Sequence, residues 1–321
     1  MKTIAFVILP QVHILDLAGP LQVFYEAKND YQQPFDLQQV ALAPEVSMAQ
    51  GLTLSHLAPY TTLSLQKGDY IIIAGIHTSG FRSEIYQQAS PAFFAWLNAQ
   101  HVQGVKICSV CTGAFVLAQA GLLDGKKCTT HWKASQELHD KFPAAKVQSD
   151  CLYIKDQQVY TSAGVASGID LALSILEEEA GALLAAKVAR EIVVYMRRNG
   201  LEQQQSIYLD YRTHLYEGVH RVQDWLVQNP EKKNNLEELA EMAHMSSRNL
   251  TRLFRKATGV SVHEFATKIR LELAKKLLKN PDLTIEAVAA RCGFKDARQL
   301  RRLWREQFAQ SPLEWRVSQV M

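Results

Sequence analysis

The chain has 321 residues, 47% of them hydrophobic and 21% charged. That composition is ordinary for a soluble protein, and the length exceeds what one core usually organises. No run of about 18 uncharged apolar residues occurs, which argues against a membrane span. The net charge of +3 hides an asymmetry: residues 1–214 hold 16 Lys+Arg against 19 Asp+Glu, a balance of −3, whereas residues 215–321 hold 19 against 13, a balance of +6. A basic C-terminal part joined to a mildly acidic one is the pattern of a nucleic-acid-binding module carried by something else.

In chain order, MKTIAFVILPQVHILDLAGP reads as a buried strand, Ile4 to Leu9, ended by Pro10. It has one basic residue, an internal Asp16 and no good cleavage site, so it is not read as a signal peptide. KTIAFVIL, FDLQQVAL, DYIIIAG, VKICSVC and QVYTSAG are the candidate strands, separated by amphipathic helical stretches. This alternation predicts an α/β domain, a doubly wound parallel sheet of the flavodoxin-like kind with helices on its faces. AGALLAAKVAREIVVYMRR, Ala180 to Arg198, reads as one long closing helix stopped by Asn199-Gly200. The expected divisions are a first domain over 1–199, a polar linker over 200–214 and a second domain over 215–321. In the linker, Tyr208 and Tyr211 suggest some docking. The five cysteines at 108, 111, 128, 151 and 292 are too few for a disulfide framework in a chain this long, and point to the cytoplasm.

One turn in the first domain stands out. The apolar strand Val105 to Val110 runs into Cys111-Thr112-Gly113-Ala114-Phe115 and a helix from Ala114 to Ala120. A strand, a nucleophile, one residue, a glycine and a helix form the elbow pattern. Cys111 would project at the C-terminal edge of the sheet, where open α/β sheets bind ligands. The following helix N-terminus would favour its thiolate. His131, in Thr129-Thr130-His131-Trp132, can meet Cys111, and Asp16 lies just after the first strand. Gly75 can supply a backbone N–H. With Ile76 and Thr112, these residues make the candidate ligand pocket.

Two readings of that pocket stay open. Cys111 and His131 are the nucleophile and base of a thiol hydrolase, or they are vestigial and line a sensor pocket with no turnover. Cys108 and Cys111 spell C-x-x-C, but Cys108 falls inside the strand and no second pair completes a zinc site. No metal or cofactor is expected. A redox sensor at Cys111 is a third reading.

The C-terminal part repeats itself. Leu239-Ala240 aligns with Val288-Ala289 and Ala243 with Cys292, at an offset of 49. Leu250, Arg252, Phe254 and Arg255 align with Leu300, Arg302, Trp304 and Arg305, at an offset of 50. Each copy reads as a helix, a turn and a second helix with an inward apolar stripe. Ser246 or Ser247 can cap the second helix of the first copy, and Asp296 that of the second copy. Outward lie Ser247, Arg248, Asn249, Thr251, Arg252 and Arg255, then Lys295, Arg298, Gln299, Arg301, Arg302 and Arg305. Such side chains suit base edges and phosphates of double-stranded DNA. Between the copies, VHEFATKIRLELAKKLLKNP reads as a long connecting helix stopping before Pro281. It would set two recognition helices in major grooves roughly 34 Å apart.

At Gly293-Phe294 through Arg302, Trp304, Phe308, Ser311-Pro312 and Trp315-Arg316, the chain resembles the AraC-family DNA-binding domain, over about residues 215–318. It departs from that pattern at Ala309, where the family commonly has Gly. It departs again at Arg298, Leu300 and Arg301. Over about residues 3–195 it resembles the PfpI-type branch of the glutamine amidotransferase-like superfamily. The matching pieces are Asp16-Leu17-Ala18-Gly19-Pro20, Gly75, Cys111-Thr112-Gly113-Ala114, Gly121-Leu122-Leu123-Asp124-Gly125, Thr129-Thr130-His131-Trp132, Thr161-Ser162-Ala163-Gly164 and Gly168-Ile169-Asp170-Leu171. The fusion resembles the GlxA-like transcriptional regulators. That resemblance implies a regulator whose first domain senses a small, commonly nitrogenous, effector. It also implies binding to DNA. A homodimer is expected, because two readers on repeated half-sites gain affinity through effective concentration.

Overall fold

The computed structural model describes all residues except 150, 195–197, 199, 201–203, 205–210, 213, 233–234 and 319–321. The chain divides into two compact units, Met1–Gln204 and Gln205–Met321.

The first unit is built on a seven-stranded sheet. Its strands are β1 (Lys2–Ile8), β2 (Phe35–Ala41), β5 (Ala58–Pro59), β6 (Tyr70–Ile73), β7 (Lys106–Val110), β10 (Tyr153–Asp156) and β11 (Val159–Ser162), in the order β10-β11-β7-β6-β1-β2-β5. All neighbours run parallel except β10 against β11. Two small pairs, β3 (Val46–Ser47) with β4 (Thr53–Leu54) and β8 (Lys127–Cys128) with β9 (Lys146–Val147), stand apart. Ile4, Phe6, Ile71, Ile73, Ile107 and Val110 are buried. Such runs reflect strands covered by helices on both faces.

Those helices are α1 (Ile14–Asn29), α2 (Thr78–Phe81), α3 (Glu84–Val102), α4 (Gly113–Gln119), α5 (Ser135–Lys141), α6 (Ala166–Ala180) and α7 (Ala182–Glu191). Helices α1 and α6 approach closely at Gly19, where a Cβ would come within 2.9 Å of Ile169. The expected single closing helix is corrected here. Gly181, at φ 87°, ends α6 and starts α7, which itself stops at Glu191. Glycine adopts that left-handed φ without penalty. Beyond it, the β-branched run Ile192-Val193-Val194 resists helix continuation, and Val193 sits at φ 56°. Of the expected linker, Gln204 lies against the first unit, its amide donating to Thr130 O at 2.9 Å and Cys151 O at 3.0 Å. Tyr208 lies outside the described residues.

The described residues of the second unit form helices: α8 (Glu217–Gln228), α9 (Leu236–Met242), α10 (Ser247–Thr258), α11 (Val262–Leu278), α12 (Ile285–Arg291), α13 (Ala297–Phe308) and α14 (Pro312–Ser318). Tyr211 packs edge-on against Phe265 at 5.6 Å. The apolar stripes of α9 and α10 close one core with α8 and the first half of α11, and those of α12 and α13 close another with its second half.

Candidate functional site

The chain leaves β1 toward β2 and β6 on opposite sides, so the C-terminal ends of β1, β6 and β7 open on one crevice. Asp16 enters from the first turn of α1, Gly75 follows β6 and Cys111 follows β7. A Cβ at Gly75 would come within 2.8 Å of Cys111 Cβ and 3.0 Å of Thr112 Oγ1, and closer still to Asp16 Oδ2. Asp16, Gly75, Cys111 and Thr112 therefore converge.

The elbow is tight. Cys111 adopts φ 56°, a strained conformation for a side chain with a Cβ. Its N–H donates to Ser162 O at 2.9 Å, and its carbonyl accepts from Thr130 Oγ1 at 2.8 Å. Two glycines make room. A Cβ at Gly113 would lie 2.5 Å from Ile73 O, and one at Gly164 would lie 2.8 Å from Cys111 Sγ.

Asp16 is 1% exposed. Its Oδ1 accepts the Val165 N–H at 2.6 Å, and its side chain hydrogen-bonds Cys111. Burial raises the Asp16 carboxyl above its ordinary range, against the pull of the Val165 N–H and of His13. The Cys111 thiol is pushed up to about 12, by burial first and then by the Asp16 charge. The expectation of a thiolate favoured by the helix N-terminus is thus corrected: desolvation and a facing carboxylate outweigh one seven-residue helix.

His131 stands at the rim. Its Nδ1 accepts the Lys133 N–H at 3.3 Å, and its ring stacks on Trp132 at 5.7 Å. Burial, then the Lys133 charge, lowers its pKa. Asp16 and Thr112 act on the thiol, and the His131 charge acts on Asp16. A carboxyl thus joins the expected Cys111 and His131 at this site. Ile76 is buried, and both its backbone groups are taken by Thr112: its N–H donates to Thr112 Oγ1 at 2.9 Å, and its carbonyl accepts from the same hydroxyl at 2.8 Å.

Three residues without a motif complete the rim. His13 donates its N–H to Gly75 O at 2.8 Å, and its Nδ1 lies 3.2 Å from Gln50 Nε2. His77 meets the His13 ring edge-on at 6.3 Å. A separate cavity of about 750 Å³ lies between α1, β2 and the β3–β4 pair, lined by Leu17, Leu21, Leu37, Met48 and Leu54 among others, without Asp16 or Cys111.

In the second unit, α10 and α13 carry the expected DNA-facing side chains. Ser246, rather than Ser247, caps α10, accepting the Asn249 N–H at 3.3 Å. Asp296 caps α13, accepting the Gln299 N–H at 2.8 Å. Arg248, Thr251, Arg252 and Arg255 are exposed on α10, and Arg298, Arg301, Arg302 and Arg305 on α13, with Lys295 exposed just before it. Ser247, Asn249 and Gln299 are half-buried. Several are already engaged. Thr251 donates to Ser247 O at 2.8 Å, and Arg252 to Asn249 Oδ1 at 2.9 Å. Gln299 Oε1 accepts the Lys295 N–H at 2.7 Å. Arg301 pairs with Glu286 at 3.0 Å and Arg302 with Glu306 at 2.8 Å. Exposed pairs of this kind are weak, so phosphates can displace them.

The DJ-1/PfpI family profile matches residues 2–178, and a helix-turn-helix domain profile matches residues 239–318. The HTH-type transcriptional regulator CdhR of Pseudomonas aeruginosa is 31% identical over 254 residues, 79% of this chain and 73% of that protein. GbdR of the same organism, also an HTH-type transcriptional regulator, is 32% identical over 227 residues, 70% of this chain and 61% of its own length. An isonitrile hydratase of Pseudomonas putida is 31% identical over 180 residues, 56% of this chain and 72% of that enzyme. Among solved structures, an AraC family transcriptional regulator from Pseudomonas putida superposes with a TM-score of 0.52 at 19% identity, covering 60% of this chain and all of that one. Drosophila melanogaster DJ-1beta superposes at 0.51 and 20% identity, covering 60% of this chain and 97% of its own. These superpositions bear on the fold. No helix among the described residues is long and apolar enough to cross a membrane.

Proposed function

The chain belongs to the DJ-1/PfpI family and carries an AraC-type transcriptional-regulator domain, and on that premise we propose that a small nitrogenous effector, bound at the Cys111 pocket, controls its hold on specific DNA. Residues 1–199 would be the sensor, 200–214 the linker and 215–321 the reader. The observation that carries this reading is the pair of matched helices, each capped and each presenting exposed arginines at equivalent positions.

The pocket chemistry supports a nitrogenous ligand. A buried Asp16 carboxyl faces a crevice rimmed by His13, His77, His131 and the exposed Trp132. A carboxylate and an aromatic face both attract a cationic nitrogen. Asp16, Cys111, Thr112 and His131 are assigned to the ligand, with the Gly75 backbone closing the floor. Ser247, Arg248, Asn249, Thr251, Arg252 and Arg255, with Lys295, Arg298, Gln299, Arg301, Arg302 and Arg305, are assigned to DNA. A cytoplasmic homodimer fits, because two readers on repeated half-sites gain through effective concentration. The effector acts only through a difference in affinity between two arrangements of the readers.

A second reading is favoured by the Asp16–Cys111 hydrogen bond and the likeness to a hydratase: a thiol enzyme with a regulatory tail. One experiment separates the two. The purified protein is titrated onto its own upstream DNA at physiological salt, with a panel of amino acids and quaternary amines, as wild type and as Cys111→Ser. Sequence-specific binding altered by one compound, without turnover of that compound, is the expected result. Cys111-dependent turnover alongside sequence-blind binding would sink the regulator reading.

A further inference from the structure

The second unit contains two hydrophobic cores strung on one helix. Val262, Phe265, Ala266 and Ile269 of α11 pack with Leu239, Leu250 and Phe254. Leu271, Ala274 and Leu278 of the same helix pack with Val288, Leu300 and Trp304. The change of core falls between Ile269 and Leu271, and the residue there is Arg270. Its Nε donates to Pro230 O at 2.8 Å and its terminal NH2 to Lys232 O at 2.7 Å. Those carbonyls flank the turn that precedes α9.

The turn of the second copy closes on the same segment. A Cβ at Gly293 would lie 2.5 Å from Glu231 O and 2.8 Å from Glu231 Cα. Gly293 also sits at φ 76°. The connecting helix, the entry to the first copy and the turn of the second copy therefore meet at one point.

We propose that this joint fixes the spacing and rotational phase of the two recognition helices, and that Arg270 is the positioning residue that makes the protein selective for the distance between its two DNA elements. The inference rests on the DNA-reading assignment above. A helix shared by two small cores is stiff along its axis, but each core can still rock or roll on the helix surface. A guanidinium bound to two carbonyls on the same turn fixes direction as well as distance, because its donors are held in a rigid fork. The glycine lets backbone meet backbone, which leaves the second copy little freedom to rotate. Phase matters because successive major grooves are about 34 Å apart, and a helix rotated out of register faces phosphate instead of bases. Arg270 itself is half-buried at the joint.

The test uses the full chain. Wild type selects its preferred sites from a random DNA pool. The two contacted elements are then separated by one further base pair, about a tenth of a helical turn. Wild-type affinity is expected to fall by about 10-fold or more, comparable to one mismatched base pair. Arg270→Ala is expected to bind the original site more weakly and to lose less than about threefold on insertion. Arg270→Lys, with one donor point instead of a fork, should fall between them.

A second measurement needs no DNA. Nitroxide labels on Lys256→Cys in α10 and Gln307→Cys in α13 should give a narrow distance distribution that broadens in Arg270→Ala. The five native cysteines are buried and should remain unlabelled. If Arg270→Ala fails to fold, Gly293→Ala replaces it, since its Cβ pushes on Glu231 from the other side. An unchanged distance distribution with an unchanged insertion penalty overturns the role given to Arg270. A wild type that selects no paired elements overturns the DNA-reading assignment, and the role with it.

Discussion

The two helix-turn-helix copies meet the same backbone demands with different residues. In the turn, the first copy places His244 at φ 55° and the second Gly293 at φ 76°. At the end of the recognition helix the allocation reverses, with Gly259 at φ 77° and Ala309 at φ 54°. Both copies continue into the same cap: Ser261 with Glu264, and Ser311 with Glu314, each with side chain and backbone bonded reciprocally. The core slot is Phe254 in one and Trp304 in the other, both fully buried. Four positions thus require a left-handed residue, and glycine fills only two. Gly293 faces a neighbouring backbone, whereas Gly259 has nothing within 4 Å of its missing Cβ. Conformation explains a preference for glycine at both sites. Only the close approach at 293 makes it a steric requirement.

The largest test of this equivalence empties the two core slots. Phe254→Ala and Trp304→Ala should each cost about 3–5 kcal/mol by denaturant unfolding. Similar costs would mean the copies are equivalent in energy as well as in shape; a cost below about 1 kcal/mol for either would mean its core can collapse around the gap. Next come the glycines. Gly259→Ala should cost about 1 kcal/mol, the price of a left-handed alanine, and Gly293→Ala clearly more, because Glu231 must also move. Equal costs in thermal melts would break the distinction just drawn. On the DNA side, Arg252→Ala and Arg302→Ala should each lower the slope of log affinity against log salt by about 1. A slope that changes for one alone would show that only that copy contacts phosphate there. The smallest effect is Ala309→Gly. It relieves the left-handed strain but adds unfolded-chain entropy, so a gain of about 0.5 kcal/mol is expected, and a loss would show that Ala309 is not strained.

Much of this was readable in the chain. Four apolar runs became β1, β6, β7 and β11, because strands buried on both faces carry no alternation to confuse them. A fifth, β2, exposes Gln38 and Gln39 but keeps buried apolar residues at its ends, Phe35 and Val40-Ala41. The edge strand β10, YIKD, was not among them, since half of its residues are polar. The repeat placed both recognition helices and their caps. The closing helix was read too long because alanine-rich stretches favour helix on either side of Gly181. In the pocket, the elbow turn pointed to Cys111, with His131 and Asp16 as residues that could meet it. Folding brings Asp16 against the thiol from the far side of the sheet's switch point. His13 and His77 carried a weak signal: each falls a few residues past the C-terminal end of a parallel strand, β1 or β6.

The surroundings of Cys111 bear on how the protein withstands an oxidising or alkylating challenge. Burial and the facing Asp16 charge push its thiol up to about 12, so the thiolate is disfavoured there at neutral pH. Cys108, Cys128 and Cys292 are likewise buried and raised to about 12 by desolvation. Peroxide and alkylating reagents attack thiolates, so burial slows their attack on these four sulfurs at neutral pH. A signal carried through this pocket would then depend first on the shape and charge of what occupies it.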